Sequence, residues 1–217
     1  MIGKALLLLS AFACLIYALI KYAGRKVALF PILVSGAIGC FFLGYLYDVV
    51  IEYISGGVNG VFNVGMLADI GGFGFIFSAS FAQIDGLGDD KSRALSKYRI
   101  TAVLAPLLIM AMYLPVFLSD NIENAEKFTG FVILIFAALS SYFNFKHLII
   151  PDVSYGIINS IRLYNLFSLL GTAVFCAMTV TEKLGFEVAS TVLAIVLALI
   201  YPCIMLTMEG GRKKWIS

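Results

Sequence analysis

The chain has 217 residues, 61% hydrophobic and only 13% charged, with 15 Lys and Arg against 13 Asp and Glu, and its mean hydropathy is +1.00. A soluble domain carries about 25% charged and about 45–50% apolar residues, so a water-soluble globular fold is excluded. The net charge of +2 gives no reason to expect nucleic acid as a partner; where the charges fall matters more than their sum.

A helix crossing a ~30 Å hydrocarbon core takes about 20 mostly apolar residues. Seven apolar stretches meet that need in chain order: Ala5–Ile20, Val27–Val50, Val61–Gln83, Ile100–Leu118, Phe128–Phe145, Tyr155–Met178 and Val188–Met208. The expected fold class is therefore all-α, a polytopic membrane protein with seven transmembrane helices in one integral membrane domain over residues 1–217. Lys21, Arg25, Lys26, Lys91, Arg93, Lys97, Arg99, Lys146, Arg212, Lys213 and Lys214 fall on one side of that layout, and Lys4, Lys127 and Lys183 on the other. Lys and Arg are enriched in cytoplasmic loops. The N-terminus is thus expected outside and the C-terminus inside, in agreement with the odd number of spans. Residues 1–20 read as a retained helix, because cleavage there would leave Lys21, Arg25 and Lys26 outside. The tail from Glu209 through Gly210 and Gly211 to Trp215 reads as a helix stop followed by an interfacial anchor.

Spans one to three and five to seven have similar spacing around the fourth. This is compatible with a 3+1+3 parallel repeat, and the spacing resembles the layout of the small sugar transporters known as SWEETs. The Pro-Gln pair of that family is absent, as is a proline in the first span. Pro31, Pro106, Pro115 and Pro202 are expected to kink their spans. Cys14, Cys40, Cys176 and Cys203 all lie in apolar stretches, outside any Cys-x-x-Cys pair, and read as buried free thiols rather than disulfide or zinc positions.

Two charges stand inside apolar stretches, where ionised groups are expensive and mark function. Asp69 lies in the third span, with Gly65 and Gly72 on its helical face. It reads either as a cation or proton site or as a polar clamp between helices. Gly71, Gly72 and Gly74 add the expectation of a loosened helix with free carbonyls. Arg162 lies in the sixth span, flanked by Asn159 and Asn165 at i±3 and by Tyr155 at i−7. Its fixed charge and rigid donor fork suit carboxylate or phosphate; the alternative is a side chain that snorkels to the interface. Ser140, Asn144 and His147 in the fifth span share one face at i, i+4 and i+7. These two polar stripes, on the cytoplasmic halves of adjacent helices, suggest a cavity open to the cytoplasm, with direct pairing of Asp69 and Arg162 left open.

Tyr47-Asp48 and Gly86-Leu87-Gly88-Asp89 resemble the Tyr-Asp and Gly-x-Gly-Asp signatures of intramembrane aspartyl proteases, whose chemistry needs two carboxylates around one water. The layout puts Asp48 at the outer end of its span and Asp89 in an inner, solvated loop, a bilayer apart. The leading expectation is a small transporter or permease-like protein. Asp69 would hold the coupling proton or cation, while Arg162, Asn159, Asn165, Asn144 and Tyr155 would contact a small anionic solute from the cytoplasmic side. A membrane sensor or partner-recruiting subunit is the alternative, and an intramembrane protease the third. No cofactor or metal is expected. The expected partners are membrane lipids, a small molecule or ion, and either another membrane protein or a second copy of the chain.

Overall fold

The computed structural model describes residues 2–24, 27–55, 64–85, 89, 92–152 and 156–216, with the side chains of 55, 83, 157 and 212–216 outside that description. Among the described residues the chain is helical, without strands: α1 (Ile2–Tyr22), α2 (Leu29–Ser55), α3 (Val64–Ser80), α4 (Ser96–Ala102), α5 (Leu104–Leu118), α6 (Asn124–Ile149), α7 (Ile157–Lys183) and α8 (Glu187–Ile216). Six segments are long and apolar enough to cross a membrane, α4 and α5 together counting as one, and α3 is a shorter apolar helix. Its 17 residues are continued directly by a π-helical turn over Phe81–Asp85. Among the described residues, six such segments and a shorter apolar helix stand where seven spans were expected. The many apolar residues left exposed, such as Leu9, Leu108, Leu163 and Leu199, suit a solvent of lipid tails. The protein is an integral, multi-pass membrane protein.

Successive helices run up and down. The start of α1, the end of α2 and the starts of α3, α6 and α8 meet at one face with the end of α7; this is called the first face. The opposite, second face gathers the ends of α1 and α8, joined by Tyr22 and Lys21 to Glu209. Helix α7 packs most extensively against α8, and α2 against α3. The first three helices meet the last three through α1–α8 and α3–α6, while α5 lies outside α6 and α7.

Glycines set how closely these helices approach. A Cβ on Gly72 would lie 2.7 Å from the Phe41 ring, and one on Gly44 3.3 Å from the Gly65 carbonyl and the Ala68 Cβ. Small residues at helix crossings let backbones close up where lipid offers no hydrophobic drive. Gly71 and Gly72 of α3 therefore serve packing, and α3 runs unbroken instead of loosening at Gly71–Gly74. The same physics corrects the reading of the tail. Helix α8 continues through Gly210 and Gly211, because a Cβ on Gly211 would stand 2.9 Å from the Ser160 carbonyl of α7. Between α7 and α8, in contrast, glycine does end a helix. Gly185 adopts φ +79°, its N–H donates to the Glu182 carbonyl and that of Phe186 to the Thr181 carbonyl. That is the Schellman turn, which a side chain in left-handed backbone would strain.

Prolines behave unequally. Pro31 is the third residue of α2, where a missing N–H leaves no bond unmade, so it is not a kink. The span containing Pro106 breaks at Val103, since the proline ring crowds the carbonyl four residues earlier and cannot donate to it. Pro115 and Pro202 sit inside continuous helices. The four cysteines are free, Cys14 and Cys176 buried and Cys40 and Cys203 partly so.

Candidate functional site

Asp69 stands in the second turn of α3 beside Gly44 of α2, whose missing side chain leaves room for it. It borders a cavity of about 750 Å³ that opens at the first face. Asp48, Glu52, Glu126, Glu182 and Glu187 line the cavity with it, and Lys4 and Lys183 are the basic residues of the lining. Both lysines are engaged. Lys4 Nζ lies 2.7 Å from Glu182 and 3.8 Å from Glu52, and Lys183 pairs with Glu126. Asp69 has no hydrogen-bond or ion-pair partner among the described residues. Tyr45, Met66, Ile133, Phe175 and Met178 supply apolar surface to the same cavity.

An aromatic septum closes the cavity toward the middle of the bundle. The Tyr45 and Tyr201 hydroxyls are 2.5 Å apart and share a hydrogen bond. The Phe41 ring packs within 5.3–6.0 Å of Phe73, Phe175 and Tyr201, and Phe73 lies 5.0 Å from Phe175. Phe175 also lines a second void of about 20 Å³, bounded by Tyr201, Ser168 and Thr172, which is room for one water-sized molecule.

Below the septum Ser80 of α3, Ser140 and Asn144 of α6 and Ser168 of α7 form hydrogen bonds across the helices. Ser140 Oγ donates to the Phe73 carbonyl at 3.0 Å. Ser80 Oγ donates to Asn144 Oδ1 at 3.1 Å, and Asn144 Nδ2 donates to Ser168 Oγ at 2.9 Å. Ser140, Asn144 and Ser80 are fully buried. They clamp helices together and line neither void.

The second face is closed by charge. A π-helical turn, Phe81–Asp85, extends α3; its wider winding re-aims the chain and leaves Asp85 against α6. Lys146 pairs with Asp85 and lies 2.8 Å from Asp89. His147 Nε2 lies 3.3 Å from Asp85 Oδ1. Arg99 grips Asp89 with two bonds, Nε to Oδ2 at 2.8 Å and Nη2 to Oδ1 at 2.6 Å. Burial by itself would raise the Asp85 carboxyl. Hydrogen bonds from His147 and Lys146, together with their charge, outweigh it and hold the group below the ordinary carboxylate value. Asp89 is thus buried and doubly paired, not part of a solvated loop. It lies at the opposite end of the bundle from Asp48, too far to share a water with it.

The sequence-predicted residues therefore separate. Asp69 alone borders the large cavity, and that cavity opens at the first face, not beside Arg162. Arg162 donates to the Ile150 carbonyl at 3.2 Å, satisfying a group that the end of α6 leaves open; it lines neither void and does not pair with Asp69. Asn159 is exposed, and its backbone N–H donates to Asp152 Oδ2 at 2.8 Å. Asn165 is fully buried, with neither amide atom bonded among the described residues. His147 belongs to the charged cluster, and Tyr155 lies outside the described residues. Sequence reasoning missed the partnership of Asp85, Asp89, Arg99 and Lys146 and the carboxylates around Asp69. The one available signal was that each set sits at helix ends sharing a side. No protein-family model, curated protein or solved structure matches this chain.

Proposed function

We propose that the chain is a small permease-like membrane protein that takes a proton or cation at Asp69 from the first face. In this reading all seven apolar helices cross the bilayer and the first face is the outer one, as the Lys and Arg distribution favours. A carboxylate at bilayer depth is costly unless it is hydrated, protonated or matched by a cation. The observation that carries the reading is that Asp69 borders a large open cavity and has no basic partner among the described residues. An anionic solute held by Arg162 is not favoured by this geometry, since the cavity is acidic and Arg162 lies outside its lining, with Nη2 bonded to the Ile150 carbonyl. The septum and the charged cluster then read as the closed inner half of an outward-open state.

The test is flux in proteoliposomes with and without an imposed pH gradient. Asp69→Asn removes the titrating group while keeping its shape, and abolishes the pH-gradient dependence of uptake. Uptake with unchanged pH dependence in that variant refutes the role.

A further inference from the structure

The cavity says more about its occupant than the sign of its charge. A metal ion needs several oxygen, nitrogen or sulfur ligands converging on one point. Among the described residues no three His, Cys, Asp or Glu side chains form such a group. A proton needs no 750 Å³ of space. Ligand cavities for small organic molecules run from about 300 to 1,000 Å³, mostly apolar with a few placed polar groups. The lining of this cavity is richer in charge than that, but it carries apolar surface too: Tyr45 and Phe175 offer rings, Met66 and Met178 thioethers, and Ile133 an alkyl wall. A single carboxylate beside aromatic faces recognises an ammonium group, by charge at one point and by the ring quadrupole at another. Of the other carboxylates in the lining, Glu52, Glu126 and Glu182 are already paired with lysines, while Asp48 and Glu187 add negative charge to the same cavity.

We infer that the first-face cavity binds a small organic cation, an ammonium group on an apolar body, with Asp69 as its counter-ion and Tyr45 and Phe175 as ring walls. The inference rests on the proposed cation role of Asp69 and adds the chemical class. An ammonium ion leaves water only where its charge is met, so the ligand's affinity depends on the Asp69 carboxylate, while its apolar body replaces water along the methionines and Ile133.

The test uses the full chain in lipid nanodiscs. Phenethylammonium, hexylammonium and tetraethylammonium are titrated calorimetrically, with 2-phenylethanol as the uncharged counterpart of the first. At least one ammonium binds, the alcohol does not, and Asp69→Asn weakens the ammonium by roughly tenfold or more, as loss of a charged partner should. The comparison of amine with alcohol is made on the unmodified protein, so it stands even if the variant folds poorly. Absence of binding by all three ammonium ions overturns the inference, as does binding of alcohol and amine alike, or equal amine affinity in Asp69→Asn. If pH-gradient-driven flux still depends on Asp69 in those cases, the proton reading survives without the amine. If that dependence is missing too, both fall.

Discussion

Lys146 is the residue on which the second face turns. It is buried, contacts both Asp85 and Asp89, and joins α6 to the turn after α3. Replacing it by methionine keeps the apolar stem and deletes the charge. Removing one partner of a buried ion pair costs about 3–5 kcal/mol because the other charge is stranded. Here Asp89 keeps both bonds from Arg99, and Asp85 keeps His147, so the loss belongs at the lower end, about 3 kcal/mol. For a chain of this size that corresponds to a fall in Tm of about 6–12 °C, measured by thermal unfolding in detergent at neutral pH. Asp85→Asn should be far less harmful in the Lys146→Met background than alone, a coupling of about 1–3 kcal/mol. The pH dependence has a definite sign. Asp85 titrates below its ordinary value of 3.8 when folded. The stability it contributes is therefore fully present above that value and lost as pH falls through the folded pKa. The unmodified protein loses stability over that acid range, and Lys146→Met loses less. A Tm within about 2 °C of the unmodified protein, well below the shift expected from that conversion, or strictly additive effects of the two substitutions, refutes the reasoning.

Two further outcomes follow from packing. Gly72→Ala drives a methyl to 2.7 Å from Phe41, whose ring is held by Phe73, Phe175 and Tyr201. It should destabilise by about 1–3 kcal/mol, whereas Gly74→Ala, with its nearest neighbours at 3.9–4.0 Å, should be neutral or slightly stabilising in the same unfolding assay. Asn144→Ala strands the bonds that Ser80 and Ser168 make with it. The loss, also read by thermal unfolding, should be about 1–2 kcal/mol, since polar contacts between membrane helices are individually modest. It should leave amine binding unchanged, because Asn144 lines neither void.

What the sequence determined by itself was the class and the placement of apolar helices. Hydropathy and helix length are local quantities, and a bilayer accepts few other solutions. The expected stretch Phe128–Phe145 falls inside α6, which extends further at both ends, and the stretch expected to end at Met178 continues in α7 to Lys183. Asp69 could also be singled out from the chain, because a carboxylate amid apolar residues is conspicuous at any fold. Which face its cavity opens on, and whether Arg162 shares it, depends on how seven helices turn about their axes, and that is decided by contacts between residues far apart in the chain. Gly211 shows the limit: before Arg212 it reads as a stop, yet close approach to Ser160 makes it part of a packed helix. Asp89 shows it again. Its run of charged neighbours looks solvated, but Arg99 and Lys146, brought to it by the fold, bury it. Local periodicity settles what spans a membrane; only the meeting of distant side chains settles which charges are paired and which is left facing a void.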